Sequence, residues 1–169
     1  TPDGSIAYYE ACRNRVEEFP TDPNGGTSVT LDDDDFGEVV LSNDANILFY
    51  GNRYDRFYIC SNGYITFGSS DTESSGTLKN HFNMPRISGL FADLNPSDGG
   101  YISYKQFEDR MAVTFEDVPL SGAPTTKNSF QIEMFFDDGT ICITWLKVEP
   151  AVSVAGLSRG RGLPPVFFE

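Results

Sequence analysis

Apolar and polar residues alternate with a period of two over most of the chain. In residues 129–145, SFQIEMFFDDGTICITW, every second side chain from Phe130 to Met134 is apolar, and the residues between are polar. Successive side chains of a strand point to opposite faces of a sheet. Asp138-Gly139 is a strong hairpin-turn signal between two such runs. The pattern therefore predicts a β-hairpin with one buried face and one face in water.

Further strands are predicted around this hairpin. RFYICS and YITFG flank Asn62-Gly63, which is a second turn signal, and residues 110–118 (RMAVTFEDV) also alternate. A sheet with one apolar face needs a second sheet to cover it, so we predict an all-β fold: an antiparallel two-sheet β-sandwich, jelly-roll-like, of about nine or ten short strands. The predicted core contains Phe57, Ile59, Ile65, Phe67, Val113, Phe115, Phe130, Ile132, Met134, Ile141 and Ile143.

Only residues 5–19, SIAYYEACRNRVEEF, place apolar residues at helical spacing, from Tyr8 to Phe19. Proline and glycine follow directly and end the pattern. We therefore predict a short N-terminal extension, helical or coiled, that covers residues 1–27 and packs on the domain. Residues 28–169 contain no internal repeat or linker and form the predicted β-sandwich domain.

The composition supports this fold class and limits the classes of molecule that the protein can bind. The chain has 14 Phe, 8 Tyr, 16 Gly and 10 Pro, a mixture of strand formers and turn residues. Its net charge of −13 repels phosphate backbones and anionic lipids, so nucleic acid is excluded as a partner. No apolar run approaches the ~20 residues needed to cross a bilayer, so membrane insertion is not expected. An acidic chain of this kind suits a secreted or cell-surface, extracellular protein, or one that collects cations.

The three cysteines, Cys12, Cys60 and Cys142, form no CxxC pair, and the chain has only one histidine. The usual ligand sets for zinc are therefore missing. Cys60 and Cys142 both lie in strand-like segments, where they form either a disulfide or two buried free thiols. The role of Cys12 stays open.

Catalytic motifs are also missing. No G-x-S-x-G elbow and no phosphate-binding loop occurs, and no pair of carboxylates stands out from the acidic background. His81 lies in KNHFNMP, which reads as a loop, so we predict a histidine that sits at the surface or anchors that loop. We expect no catalytic residues and no enzyme activity.

Residues 91–104, FADLNPSDGGYISY, combine polar ligand-type side chains with turn residues between two apolar runs. Asn-Pro starts a turn, and the two glycines supply backbone conformations with positive φ. We interpret this stretch first as a connection between strands, with Gly99 or Gly100 at positive φ.

Calcium is the alternative interpretation of the same stretch. Asp93, Asn95 and Asp98 offer oxygen ligands, although the spacing does not match an EF-hand. Calcium takes 6–8 oxygens, so these three side chains would need further ligands. The acidic run Asp32–Asp35, which otherwise reads as a solvated turn, is the obvious donor if the fold brings it close. Ca²⁺ is thus the one cofactor that the sequence suggests.

Several motifs resemble a known family in their order along the chain. They are FYGNRYDRFYICSNGYITFG, LFADLNPSDGGYISY, DRMAVTFEDVP and NSFQIEMFFDDGTICITW, within residues 47–157. This order resembles a β-sandwich accessory domain appended to secreted subtilisin-like proteases and present in large multidomain exported bacterial proteins. The nidogen-type extracellular domain is similar at a greater distance. The resemblance implies a non-catalytic accessory module. Ala92 stands where the family often has a second acid.

Three functions follow from these observations. The first is a binding or structural module of a larger secreted protein, with contacts to other domains of the parent protein or to a protein or polysaccharide ligand. The second is a carbohydrate-binding module that stacks sugars on exposed aromatic side chains, for which Tyr58, Tyr101, Tyr104 and Phe135 are candidates. The third is a polysaccharide lyase or hydrolase on a sandwich scaffold.

Overall fold

The computed structural model describes residues 9–149 and 152–163. Within them the chain forms two five-stranded antiparallel sheets and a separate two-stranded hairpin, which confirms the predicted β-sandwich. The strands are β1 (Thr27–Ser28), β2 (Phe36–Val40), β3 (Ile47–Phe49), β4 (Asn52–Tyr54), β5 (Arg56–Cys60), β6 (Tyr64–Thr66), β7 (Pro85–Phe91), β8 (Tyr101–Gln106), β9 (Arg110–Leu120), β10 (Ala123–Phe135), β11 (Ile141–Lys147) and β12 (Val154–Arg159); one α-helix, α1 (Leu78–His81), and one 3-10 helix (Pro96–Asp98) join them.

Strands β8 to β11 and β5 to β7 lie in sequence order within their sheets, and β1, β2 and β12 are added at the edges. The first sheet runs β1-β8-β9-β10-β11, the second runs β12-β7-β6-β5-β2, and β3 pairs with β4. The chain enters the second sheet between β1 and β2, passes to the first between β7 and β8, and returns to the second between β11 and β12. The β7–β8 connection is the segment that carries the acids and glycines noted in the sequence.

The core lies between the two sheets and contains the residues predicted from the alternating pattern. All of them are buried except Ile141 and Ile143, which are half-buried because β11 is an edge strand. The rings of Phe115 and Phe130 stack with their centroids 4.6 Å apart. Gly89 of β7 leaves the room for this pair, since a Cβ there would lie 2.6 Å from the Phe130 ring.

The outer face of the first sheet is partly covered, contrary to the predicted water-exposed face. Gln131 and Glu133 point away from the core, yet both are buried. Thr21 of the N-terminal extension lies over them: its backbone N–H donates to Gln131 Oε1 at 3.0 Å, and its hydroxyl donates to Glu133 Oε1 at 2.6 Å. Arg110 adds an ion pair to Glu133 at 3.2 Å. The extension therefore attaches here through polar contacts, while further back Tyr9 packs its ring against Phe49 and Tyr50 at the core.

The helix predicted for residues 5–19 is not present in residues 9–19, while residues 5–8 lie outside the described part of the chain. Cys12 and Val16, two members of the predicted apolar stripe, are exposed. An amphipathic helix gains its stability by packing the stripe on an apolar surface. The sheet offers a polar outer face instead, so the extension is coiled. The boundary between the extension, residues 1–27, and the β-sandwich domain, residues 28–169, stays a prediction.

The segment 69–77, which looks flexible by composition, covers the outer face of the second sheet. The Tyr64 hydroxyl donates to the carbonyl oxygen of Glu73 at 3.0 Å, and the Thr66 hydroxyl donates to that of Ser69 at 2.7 Å. Both donors come from β6 and are buried. A buried hydroxyl needs a hydrogen-bond partner, and the segment supplies it.

His81 ends α1 and is buried, so it is not a surface histidine; it anchors its segment to the sheet. Its Nδ1 lies 2.8 Å from the Ser88 hydroxyl, and the ring also bonds to the backbone of Leu157. Burial lowers the pKa of His81 to about 4. The imidazole is therefore neutral at neutral pH and has its hydrogen-bonding capacity in use.

The three cysteines are free thiols, and the predicted alternative of a Cys60–Cys142 disulfide is contradicted. Cys60 lies on β5 of the second sheet and Cys142 on β11 of the first, and neither belongs to the main core. Cys60 packs beside Tyr64 and Phe91, and burial raises the pKa of its thiol to about 11. Cys142 is half-buried and Cys12 is exposed.

Candidate functional site

The β7–β8 connection is a structured turn, as the sequence predicts. The Asn95 side chain caps the 3-10 helix by accepting a hydrogen bond from a backbone N–H. Gly99 and Gly100 follow with φ of 145° and 83°. A Cβ at Gly100 would lie 2.6 Å from the Cα of Val118, so a larger residue does not fit there. The turn interpretation of this stretch is confirmed.

Asn62 joins this connection to the acidic run, a role that the sequence does not reveal. It is fully buried in the β5–β6 turn. Its Nδ2 donates to Asp34 Oδ1 at 2.7 Å, and its Oδ1 accepts from the backbone N–H of Leu94 at 2.9 Å. The neighbouring Gly63 has φ of 79°, and a Cβ there would lie 2.1 Å from the carbonyl oxygen of Leu90, so β7 can approach the turn only at a glycine. Sequence reasoning identified the Asn-Gly pair only as a turn.

Asn62 thereby places part of the acidic run beside Asp93. Carboxylate oxygens of Asp33, Asp34 and Asp93 lie within 4.8 Å of one another, and all three side chains are exposed. Loss of some solvation within the cluster, followed by the charges of Asp34, Asp93 and Asp98, raises the pKa of Asp33. The other two predicted ligands bond to each other, because Asn95 Nδ2 donates to Asp98 Oδ2 at 3.2 Å. The metal set Asp93, Asn95 and Asp98 stays a prediction.

Calcium at this acidic cluster can be tested by thermal unfolding. Asp33, Asp34 and Asp93 supply three oxygens from exposed side chains, whereas calcium takes 6–8. We therefore expect about 5 mM calcium, which saturates the weaker extracellular sites, to leave the melting temperature unchanged. We also expect Asp93→Asn to preserve or slightly raise that temperature, because it removes one of three like charges.

The control for this experiment is Asp137→Asn, which neutralises an exposed acid outside the cluster. A different result would establish the calcium site: a melting temperature that rises by several degrees in calcium, falls back with chelator and no longer responds in Asp93→Asn. The response of Asp137→Asn would then match that of the unsubstituted chain.

The four aromatic candidates for sugar stacking do not share one surface. Tyr101 is exposed on the outer face of the first sheet, and Tyr104 of the same strand packs against the core. Phe135 is half-buried at the end of β10, with the Arg110 guanidinium 5.7 Å from its ring centre. Tyr58 lies on the second sheet. Tyr101 also borders a cavity.

That cavity, called here the Tyr101 cavity, has a volume of about 570 Å³. It lies where the turn 23–25 of the N-terminal extension meets the ends of β8 and β9. Tyr101 and Glu116 face each other across these two strands in register. The lining residues are Pro23, Asn24, Gly25, Gly100, Tyr101, Glu116, Asp117 and Lys127.

The two lysines near the cavity already have partners. Lys127 Nζ forms an ion pair with Asp117 Oδ2 at 2.6 Å. Lys105 Nζ donates to the carbonyl oxygens of Asp22 and Asn24 at 3.1 Å and 2.8 Å. Lys105 thus ties the turn of the extension to β8. Neither ammonium group is directed at the remaining acid of the cavity.

Glu116 is that remaining acid. Among the described residues, its carboxylate has no hydrogen-bond or ion-pair partner. Burial, and after it the charges of Asp117 and Asp22, raises the pKa of Glu116. The cavity therefore combines an exposed aromatic ring with one half-buried carboxylate that lacks a counter-charge.

Comparison with known proteins gives one match. A family model described as NIDO related matches residues 11–159. No curated protein and no solved structure matches the chain. Among the described residues, no helix is both long and apolar enough to span a membrane.

Proposed function

Because this chain belongs to the NIDO-related family, we propose that it is a non-catalytic contact module of a larger secreted protein, which binds a neighbouring domain or a separate ligand. The family is a nidogen-related, extracellular and non-enzymatic type of domain. In this proposal the domain makes a binding contact and is attached to a larger protein, of which a secreted subtilisin-like protease is one example.

The proposed contact role rests on the Tyr101 cavity. Its volume of about 570 Å³ is within the range of ligand sites, ~300–1,000 Å³. A ligand would contact the exposed ring of Tyr101 on one side and the carboxylate of Glu116 on the other. Ligand sites combine apolar or aromatic lining with a few polar groups that orient the ligand, and here the Tyr101 ring and the Glu116 carboxylate supply one of each.

The lyase or hydrolase alternative has less support from the same geometry. Such an enzyme needs a base or a pair of acids that reach the substrate. His81 is buried with its ring bonded to Ser88 and to the backbone of Leu157, and Asp117 in the cavity is paired with Lys127. Glu116 alone does not make a catalytic pair.

Activity screens of the purified domain test the non-catalytic part. We expect no turnover above the blank with peptide and polysaccharide substrates, because a single carboxylate offers no acid–base partner. Reproducible turnover that disappears in Glu116→Gln, but persists in the surface variant Glu38→Gln, would replace the contact module with an enzyme. Far-ultraviolet circular dichroism of both variants would confirm that each is folded.

A glycan is the second candidate ligand, favoured by the exposed Tyr101 ring. Aromatic rings stack on the apolar faces of sugars, and Tyr101 is 44% exposed beside the cavity. Neutral oligosaccharides are therefore titrated separately into the labelled domain, and their binding is compared with that of positively charged peptides.

A further inference from the structure

We propose that the Tyr101 cavity binds a basic side chain, lysine or arginine, presented by a protein partner. The inference rests on the contact function proposed above and names the class of ligand. It follows from three features of the cavity: the charge that is left uncompensated, the arrangement of ring and carboxylate, and the way the adjoining turn already holds a cation.

The first feature is the balance of charge. Asp117 is neutralised by Lys127 at 2.6 Å, and the Lys105 ammonium is held at the turn close to Asp22. Of the two acids that line the cavity, Glu116 is then the one that has no ion-pair partner among the described residues. A half-buried carboxylate gains most from a ligand that brings one positive charge.

The second feature is the position of the aromatic ring. Tyr101 and Glu116 are direct cross-strand partners, so their side chains leave the outer face of the sheet side by side. A cation placed over the face of a tyrosine ring is attracted by the ring quadrupole. An ammonium or guanidinium group between the two side chains would contact the ring and the carboxylate together.

The third feature is the neighbouring turn. Lys105 Nζ already binds there through the carbonyl oxygens of Asp22 and Asn24. Backbone carbonyls of the extension thus point toward this corner of the sheet and accept hydrogen bonds from an ammonium group. Each of these carbonyl oxygens has a second lone pair, so the turn, which includes the lining residues Pro23 and Gly25, has acceptor capacity left for a cation in the cavity.

Other ligand classes fit these features less well. An anion would meet Glu116 and the field of a chain with net charge −13. A neutral sugar would use the ring of Tyr101 but leave the carboxylate without a counter-charge. A basic segment is also attracted by the acidic chain over a longer range, which favours its encounter with the cavity.

The experiment is a titration of the ¹⁵N-labelled domain followed by NMR. The probe is a short acetylated peptide with one arginine between glycines, and a second peptide carries lysine instead. The control peptide carries citrulline, which has nearly the shape of arginine but no charge. We expect the basic peptides to shift amide resonances of Gly25, Gly100, Tyr101 and Glu116 with millimolar affinity, because one such contact is weak. Raising the salt from about 0.05 to about 0.5 M should weaken this binding.

Two variants remove the proposed contacts one at a time. Glu116→Gln keeps the shape of the side chain and is expected to weaken peptide binding by about tenfold. Tyr101→Leu keeps an apolar side chain without the ring and is expected to weaken it by about fivefold. Both positions lie on the solvent side of the sheet, so dispersed spectra are expected for each variant.

The chain offers a matched control in Tyr58 and Glu38, a second tyrosine–glutamate pair across two strands of the other sheet. There the Tyr58 hydroxyl donates to Glu38 Oε1 at 3.2 Å, and Arg56 pairs with the same oxygen at 3.3 Å. Because that carboxylate already has its cation, Glu38→Gln and Tyr58→Leu should leave peptide affinity within about twofold.

The outcomes separate this inference from the proposed function. Equal binding of the citrulline peptide, or unchanged affinity in Glu116→Gln, would overturn the basic side chain as the ligand. If neutral oligosaccharides shift the Tyr101 and Glu116 resonances and the basic peptides do not, the contact module stands with a glycan ligand and the inference fails. If neither the oligosaccharides nor the basic peptides shift these resonances, both the basic-ligand inference and the proposed contact function of the cavity are wrong.

Discussion

Ile132→Ala is expected to lower the free energy of unfolding by ~2–5 kcal/mol, because it removes buried methylene groups and leaves a cavity. Ile132 is fully buried in the centre of the first sheet, between Ile143 on β11 and Val113 on β9. Its side chain also reaches toward Gly89 of the opposite sheet, so the contact spans both layers of the sandwich. Urea unfolding at constant pH measures the change.

The control is Val40→Ala, which also shortens a branched apolar side chain. Val40 ends the edge strand β2 and is 57% exposed. Its substitution is expected to change the free energy of unfolding by about 0.5 kcal/mol or less. If Ile132→Ala had no larger effect than Val40→Ala, the inward face of β10 would be assigned incorrectly, and with it the core between the sheets.

Asp71→Asn is expected to lower the free energy of unfolding by about 3 kcal/mol, the lower end of the range for breaking a buried ion pair. The Arg86 side chain is 1% exposed, and its charged partner is Asp71 at 2.5 Å, which is 25% exposed. The guanidinium lies over the rings of Tyr64 and Phe91, at 4.1 Å and 4.6 Å from their centres. Within the described structure, Arg86 Nε and Nη1 have no hydrogen-bond partner. The loss of the Asp71 charge therefore leaves a buried cation without a counter-ion, stabilised only by the aromatic rings and a neutral amide oxygen.

Two comparisons isolate the cause of that effect. Asp55→Asn makes the same change in an exposed ion pair with Arg56 and should alter stability far less, because water screens that pair. The double variant with Arg86→Met and Asp71→Asn removes both charges, so it should be more stable than Asp71→Asn alone. Equal effects of Asp71→Asn and Asp55→Asn would mean that the segment 69–77 does not hold this pair in a buried position.

The strands and most of the core could be predicted from the sequence because the relevant signals are local. The alternation from Phe130 to Met134 assigns side chains to faces without knowledge of any other strand. Asn62-Gly63 and Asp138-Gly139 predict turns through backbone conformations that few other residues adopt. The same reasoning assigned Ile141 and Ile143 to the inward face of β11, but the position of that strand at the sheet edge, which limits their burial, is a property of the assembled sheet.

The coverage of the outer faces could not be predicted, since it depends on contacts between distant parts of the chain. The helical spacing of residues 5–19 is a local signal, but a helix of that length also needs an apolar surface to pack against. The structure offers Gln131 and Glu133 instead, and Thr21 binds them across 110 and 112 positions of sequence. For the same reason the polar composition of 69–77 did not reveal a segment fixed on the second sheet.

The candidate sites, too, could be predicted from the sequence only in part. The sequence by itself determined that residues 93–100 are a turn with glycines at positive φ, because the steric limits on each residue are local. Only the fold decided that Asp33 lies beside Asp93, and that Tyr101 and Glu116 form one side of a cavity. These pairs depend on strand register and on a buried asparagine bridge through Asn62. No periodicity within a single segment carries that information, since the free energy that fixes such contacts comes from packing the whole sandwich.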